Sequence, residues 1–387
     1  MGHPPPPGTP PAACRGSMSR ILIFNAGSSS LRSALYRVDA GAADCLWQDH
    51  REQPPEQLGQ QLDDLLATIP LPVDAAAHRV VHGGPQLWRP ARISEQVERA
   101  IEQAGELAPL HNPHALNLLR RVRAQLDPEL AHIACFDTGF YHDLPEVAAT
   151  YPLPHGISSE QGLRRYGFHG LAHQSMLAGL SACHSAASTP RRVISLQLGG
   201  GCSVTASLDD RALDTSMGFT PLEGLMMRTR CGDIDPGLLF HLKRSLGLSD
   251  AGLESLLNHD SGLLGVSGRS GDMKTLLEAD DDRSRLAVEL FCYRTRKYLA
   301  AYTGVLGGVD AVLFGGGVGE NAAPVRAGIL EGLDYLGIRL DPDLNSAARG
   351  ERRRISSDDS RVEVWVMPVD EGALMARQAA ELLTRET

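Results

Sequence analysis

An apolar run that breaks into glycines and is answered by a second apolar run occurs twice in this chain, and few folds accommodate that pattern. Ile21–Phe24 reads as a buried strand, Gly27-Ser-Ser-Ser30 as a tight polar loop and Leu31–Val38 as the returning strand. Val193–Leu198 leads into Gly199-Gly-Gly201, with Ser203–Leu208 as its hairpin partner. Ala131–Phe136 reads as a strand ending at Asp137, Ala311–Phe314 as one ending in Gly315-Gly-Gly-Val-Gly319, and Val362–Val366 as the last. Between them apolar residues fall at helical spacing. Leu62, Leu65, Leu66 and Ile69 mark one helix; residues 97–107 and 115–126 read as helices around the loop 108–113, whose second proline, Pro113, sits where a helix begins. Leu286, Leu290, Phe291 and Leu299 mark the inner face of a long helix, and residues 373–385 form the last one. This order predicts two related α/β halves with a cleft between them. A chain of 387 residues also exceeds what one hydrophobic core usually organises.

Charge and cysteine usage narrow the function classes. A formal net charge of -10 disfavours nonspecific binding to nucleic acid or anionic membranes. No apolar run approaches the roughly 18 to 20 residues of a membrane span. Seven cysteines lie scattered without a Cys-x-x-Cys pair, which fits reduced, mostly buried thiols in the cytoplasm and no zinc site. Residues 1–17 carry five prolines in the first ten and no apolar signal core, so they are expected to be a disordered extension, with Met18 a candidate start.

The stretch Asp214-Thr-Ser-Met-Gly-Phe-Thr-Pro-Leu-Glu-Gly-Leu-Met-Met-Arg-Thr-Arg-Cys-Gly-Asp-Ile-Asp-Pro236 makes neither a clean helix nor a clean strand, so packing alone does not explain it. Other segments share that character: Asn25-Ala-Gly-Ser-Ser-Ser-Leu-Arg32, His78-Arg-Val-Val-His-Gly-Gly84, Phe136-Asp-Thr-Gly139, Arg164-Arg-Tyr-Gly-Phe-His-Gly170, Gln197-Leu-Gly-Gly-Gly-Cys-Ser203, Gly315-Gly-Gly-Val-Gly-Glu-Asn321 and Pro368-Val-Asp-Glu371. Cations, N–H donors and a metal-holding carboxylate spread over glycine-flanked loops are what phosphoryl transfer asks of a protein. Two arginines on one site suit a planar anion better than lysines do. Competing readings are weaker. Asp137-Thr-Gly139 and Asp260-Ser-Gly262 would form an aspartic-protease pair, but Asn258-His259 stands where the second needs an apolar strand. Gly317-x-Gly319-x-x-Ala322 fits a dinucleotide fingerprint, yet a dehydrogenase has no use for the two arginine loops.

Taken in order, these segments closely resemble the acetate kinases, over residues 20 to about 380. The resemblance implies an α/β protein of two actin-like (ribonuclease-H-like) domains with duplicated mixed sheets and an interdomain active-site cleft. It implies residues 18–145 plus 374–387 as the N-terminal domain and 146–373 as the nucleotide-binding one. It implies direct in-line transfer between ATP and acetate, with Mg²⁺ (or Mn²⁺), in a cytoplasmic homodimer. Catalytic roles then fall to Asp137, Arg79, Arg230, His169 and Gln197, and the acyl pocket to Arg79, Val81, Leu110 and Pro221. Phosphates and nucleotide fall to Ser28, Ser30, Arg32, Gly199, Gly200, Gly201, Gly315, Gly316, Gly317, Gly319 and Asn321, and the metal to Asn25 and Glu371. The chain departs from the family pattern at Arg32, usually Lys, at Gly139, more often Ala, and at Gln197 and Gly200 in a loop that is usually His-Leu-Gly-Asn-Gly. Propionate or butyrate as acceptor, a pyrophosphate-linked variant, and a weakly active nucleotide-binding regulator remain alternatives.

Overall fold

The computed structural model describes residues 18–27, 30–52, 60–70, 72–108, 111–185 and 187–386. The expectations for residues 1–17, Ser28 and Leu110 lie outside the described residues. The twelve described strands are β1 (Ser19–Ala26), β2 (Leu31–Asp39), β3 (Ala42–Arg51), β4 (Ala75–Val80), β5 (Ala91–Arg92), β6 (Ala131–Phe136), β7 (Arg192–Leu198), β8 (Cys202–Leu208), β9 (Arg211–Thr215), β10 (Ala311–Gly315), β11 (Arg353–Arg354) and β12 (Glu363–Val366).

They form two six-stranded sheets with the same plan. One runs β3-β2-β1-β4-β6-β5 and the other β9-β8-β7-β10-β12-β11. Each starts as an antiparallel meander, continues with two strands parallel to the first, and closes on a two-residue antiparallel edge strand. The expected duplication is therefore present strand for strand, in mixed sheets flanked by helices.

The central strands form where the sequence is apolar on both faces, as parallel strands buried between helices require. Ile21, Leu22, Ile23 and Phe24 are all buried, as are Val312, Leu313 and Phe314. The outer meander strands β3 and β9 are edges, and their half-exposed polar sequences carry no apolar run, which is why the sequence reading passed over them. Leu286 departs from the expected inner face: it is 54% exposed on the helix Asp282–Val305, while Phe291 and Leu299 lie in the core. It also overstated thiol burial, since Cys135, Cys202 and Cys292 are buried but Cys45 and Cys183 are exposed.

Two helices tie the halves together. The C-terminal helix Glu371–Glu386 lays Ala373, Ala376 and Ala379 against Ile21, Ile23 and Ile133 of the first sheet, although it follows directly on the last strand of the second. The helix Gly170–Ser181 puts Leu171 into that same cluster and Met176, Leu177 and Leu180 against Val193 and Leu313 of the second sheet. No described helix is long and apolar enough to cross a membrane.

Candidate active site

Register places the functional side chains. In the first sheet Phe24 of β1 lies opposite His78 of β4, and Val80 of β4 opposite Phe136 of β6. Asn25, Arg79 and Asp137 therefore come side by side at the carboxyl ends of three parallel strands, where open α/β sheets bind their ligands. In the second sheet Gly315 ends β10 opposite Gln197 near the end of β7, and Phe314 pairs with Val366. The glycine loops after these strands face the same cleft.

Arg79 is the hub of the first group. Its Nε donates to Asp137 Oδ1 at 3.0 Å, its Nη2 to Asp137 Oδ2, and its Nη1 to Asn25 Oδ1 at 3.2 Å. Asn25 in turn donates its amide N–H to Glu371 at the start of the C-terminal helix. Burial works against charge on Arg79, but the Asp137 and Glu371 carboxylates more than offset it and hold the guanidinium above its ordinary pKa. Burial pushes the Asp137 carboxyl up, and Arg79 opposes that shift. Gly139 has its own reason: a Cβ there would lie 2.4 Å from the carbonyl oxygen of Trp88, so alanine does not fit this backbone.

His169, Arg230 and the loop Gly199–Gly201 form the second group. His169 holds a left-handed φ of 60° just before the helix Gly170–Ser181, a backbone state that a non-glycine residue occupies only under constraint. A Cβ on Gly170 would meet the Asp137 carbonyl oxygen at 2.1 Å, so the absence of a side chain there lets His169 sit against the Asp137 turn. A Cβ on Gly201 would lie 3.2 Å from His169 Nε2 and 3.7 Å from Arg230 Nη1, so that glycine is where the imidazole and the second guanidinium converge. Arg230 has no carboxylate partner among the described residues; its Nη1 donates to the carbonyl oxygen of Pro221 at 3.4 Å, and burial lowers its pKa. His169 is held far below the usual imidazole pKa, chiefly by burial and then by the charge of Arg79.

Beside these groups opens a cavity of about 1570 Å³. Asn25, Arg32, Gln197, Gly199, Gly200, Gly316, Gly317, Asn321 and Glu371 line it together. Gly317 has no neighbour within 4 Å of a Cβ position, whereas Gly316 holds a φ of 74° that favours glycine. Gly315 and Gly319 do not line the cleft. A Cβ on Gly315 would strike Met176 and Val369, and Gly319 packs beside Phe314, so these two let the strand and the following turn pack closely. Ser30 closes the first hairpin by accepting from the Gly27 N–H at 2.8 Å through its carbonyl. Val81 is buried in the second core with Phe168 and Leu198.

The oxygen donors here fit a hard divalent cation. Among the described residues no three His, Cys, Asp or Glu side chains cluster as a ready-made metal cage. Mg²⁺ does not need one, since it commonly takes one or two carboxylates and completes its shell with water and substrate phosphate. Glu371, with Asn25 beside it, offers that set on the cleft wall.

The model of the acetokinase family matches residues 56–377. The chain belongs to the acetokinase family. Among curated proteins, the acetate kinase of Solibacter usitatus is 43% identical over 318 residues, covering 81% of this chain and 77% of that protein. The acetate kinase of Rhodopseudomonas palustris strain TIE-1 is 39% identical over 392 residues, covering 94% and 98%. Among solved structures, acetate kinase of Porphyromonas gingivalis superposes with a TM-score of 0.83 at 33% identity, covering 94% of this chain and all 100% of that one. A propionate kinase of Francisella tularensis gives 0.81 at 32%, covering 93% and 99%.

Within this acetokinase-family cleft, several lining residues escaped the sequence reading. Arg228 donates its backbone N–H to the Gly200 carbonyl at 3.2 Å and faces the cleft with Lys274 and Arg349. The Arg228 stem crosses Gly271, where a Cβ would lie 2.6 Å from Arg228 Cγ. Arg228 stands two residues before Arg230, and spacing alone does not show that it lines the cleft while Arg230 lies beside Gly201. His111 is pushed down to about 4 by burial, and next by Arg230 and Arg79, which places it beside the arginine pair.

Proposed function

We propose that this chain transfers the γ-phosphoryl group of ATP to acetate, reversibly, giving ADP and acetyl phosphate by direct in-line displacement. One observation carries the reading: a paired arginine, Arg79, and Arg230, without a carboxylate partner among the described residues, meet a constrained histidine at the end of a nucleotide-sized cleft. A carboxylate oxygen of acetate attacks the γ-phosphorus, and the bond to the β–γ bridging oxygen breaks, leaving its electrons on ADP. Asp137 fixes the Arg79 fork so that its charge is aimed before substrate arrives, which is how preorganised groups lower such a barrier. Arg230, lacking a carboxylate of its own, takes the acetate carboxylate or the moving phosphoryl group, and His169 Nε2 donates to a phosphoryl oxygen. Glu371 and Asn25 would hold a divalent cation, Mg²⁺ (or Mn²⁺), whose charge would favour transfer from a polyphosphate.

A second reading concerns the phosphoryl donor. Gln197 carries no charge, and its Oε1 is buried without a partner, so the loop after β7 is built differently from one with histidine. Pyrophosphate as the donor is the alternative to be tested at this loop. A hydroxamate assay across C2 to C4 acids, with ATP, GTP and pyrophosphate as donor, separates the readings: acetohydroxamate formed fastest with ATP supports the first, and formation only with pyrophosphate replaces it.

We further propose a cytoplasmic homodimer with domains at residues 18–145 plus 374–387 and 146–373. Supporting the dimer, Phe240, Leu246 and Tyr293 stand 62%, 62% and 58% exposed on the helices Pro236–Leu246 and Asp282–Val305, apolar side chains that a second subunit would cover.

A further inference from the structure

Alternation along β7 and β8 gives one face of the second sheet an apolar row and sets a polar row on the other, beside Val193 and Leu313. Ile194, Leu196, Leu198, Val204 and Ala206 enter the large core. Ser195, Gln197, Ser203 and Thr205 point the other way, with Ser195 opposite Thr205 and Gln197 opposite Ser203. The helix Gly170–Ser181 covers this polar row and contributes His173, one turn after His169. The result is an unbroken buried chain: Ser195 Oγ to His173 Nδ1 at 2.7 Å, His173 Nε2 to Ser203 Oγ at 2.8 Å, and Ser203 Oγ to His169 Nδ1 at 2.9 Å.

Each serine has a single hydroxyl hydrogen and each neutral imidazole a single N–H, so the chain runs in one of two directions or meets head-on at Ser203, where two imidazole donors would leave the buried Ser203 hydrogen with no acceptor among the described residues. If His169 donated into it, Ser203 would donate to His173 and His173 to Ser195. The Ser195 hydrogen would then have no acceptor among the described residues, in a side chain with no solvent exposure. Buried polar hydrogens are rarely left that way. In the opposite direction every hydrogen is used. Ser195 donates to His173, His173 Nε2–H to Ser203, and Ser203 to His169 Nδ1. Burial keeps His173 neutral, with its pKa pushed down to about 3, so it does not donate from both nitrogens.

We infer that Ser195, His173 and Ser203 are positioning residues that fix His169 as the tautomer with its proton on Nε2, facing Gly201 and Arg230. The inference rests on the proposed role of His169 and deepens it. A neutral imidazole is a donor or an acceptor at a given nitrogen, and only the donor form meets a phosphoryl oxygen. The relay therefore makes His169 a donor before the nucleotide binds, without requiring it to be charged.

Long-range ¹H–¹⁵N spectra of the ¹⁵N-histidine-labelled full chain test this, with His169→Gln and His173→Gln used for assignment. Both rings are expected to be neutral with the proton on Nε2; a proton on Nδ1 of either ring overturns the relay, and no further variant is needed for that result. Ser203→Ala should lower kcat at least about tenfold while KM for ATP stays within about twofold, as loss of a transition-state donor requires, and Ser203→Thr should restore turnover. Unchanged kcat in Ser203→Ala overturns the positioning role. Full activity in His169→Ala would overturn the role of His169 in transfer, a failure distinct from a wrong tautomer.

Discussion

Arg79 and Asp137 form a two-pronged ion pair, with Nε to Oδ1 at 3.0 Å, in which the carboxylate is 1% and the arginine 14% exposed. They come from the ends of adjacent parallel strands, so the pair is built by sheet register and not by a local motif. Such a pair has two jobs that mutation separates. It keeps a buried carboxylate compensated, and it aims a cation at the cleft.

Arg79→Ala strands the Asp137 carboxylate. Breaking a buried pair by removing one partner costs about 3 to 5 kcal/mol, so urea denaturation should show a loss of that order together with a turnover drop of at least about 100-fold. A stability change under about 1 kcal/mol would show that the pair is not structurally coupled in solution. The buried partner makes folding sensitive to this change.

Asp137→Asn keeps the shape but removes the charge that steers Arg79. The expected result is a fall in kcat of about 100-fold or more with affinity for Mg-ADP within a few-fold, read by calorimetric titration. If ADP binding disappears along with activity, Asp137 holds the metal or the nucleotide instead.

Arg228 lies against Gly271 with its backbone bonded to Gly200 and lines the cleft, where its charge would meet a bound polyphosphate. A charge-assisted hydrogen bond contributes about 1.5 to 3 kcal/mol, so Arg228→Ala should raise KM for ATP roughly tenfold or more, with a smaller change in kcat. An unchanged KM would place Arg228 outside the binding path.

Buried neutral histidines set the acid limit of stability. Burial holds His82 and His132 at about 4 and His173 at about 3, against 6.5 for the unfolded chain. The unfolded state therefore binds more protons than the folded one below pH 6.5, and stability falls as pH drops toward 4. Each group contributes about 1.4 kcal/mol per pH unit within that window. Urea midpoints at pH 7, 6 and 5 should decline progressively, and His132→Gln should flatten the slope. A midpoint that is constant from pH 7 to 5 contradicts this.

Much of the fold could be read from strand-forming runs and glycine breaks, because Ile21–Phe24 and Ala311–Phe314 are apolar on both faces and end in residues that only a turn explains. Strands β3 and β9 could not, since edge strands bury too little to impose a pattern on their sequence. The loops of the site were legible as sets of residue types that packing does not require. What those residues touch was not. The Arg79–Asp137 pair spans 58 residues and the His169–Ser203 contact 34, so only the folded sheets bring them together. Gly315 and Gly317 read alike in sequence, and only burial shows that one packs a strand while the other opens to the cleft.

The central claim is that phosphoryl transfer to acetate takes place between the two arginine loops, and Arg230→Ala tests it most directly. Arg230 has no carboxylate partner among the described residues, so its removal strands none of their charges and the unfolding curve should not move. The account predicts that ATP-dependent acetyl phosphate formation, measured as the hydroxamate, falls at least about 100-fold in this variant while Mg-ADP still binds. Wild-type rates in Arg230→Ala, or a wild-type protein that forms no acyl phosphate from ATP and acetate, would contradict it.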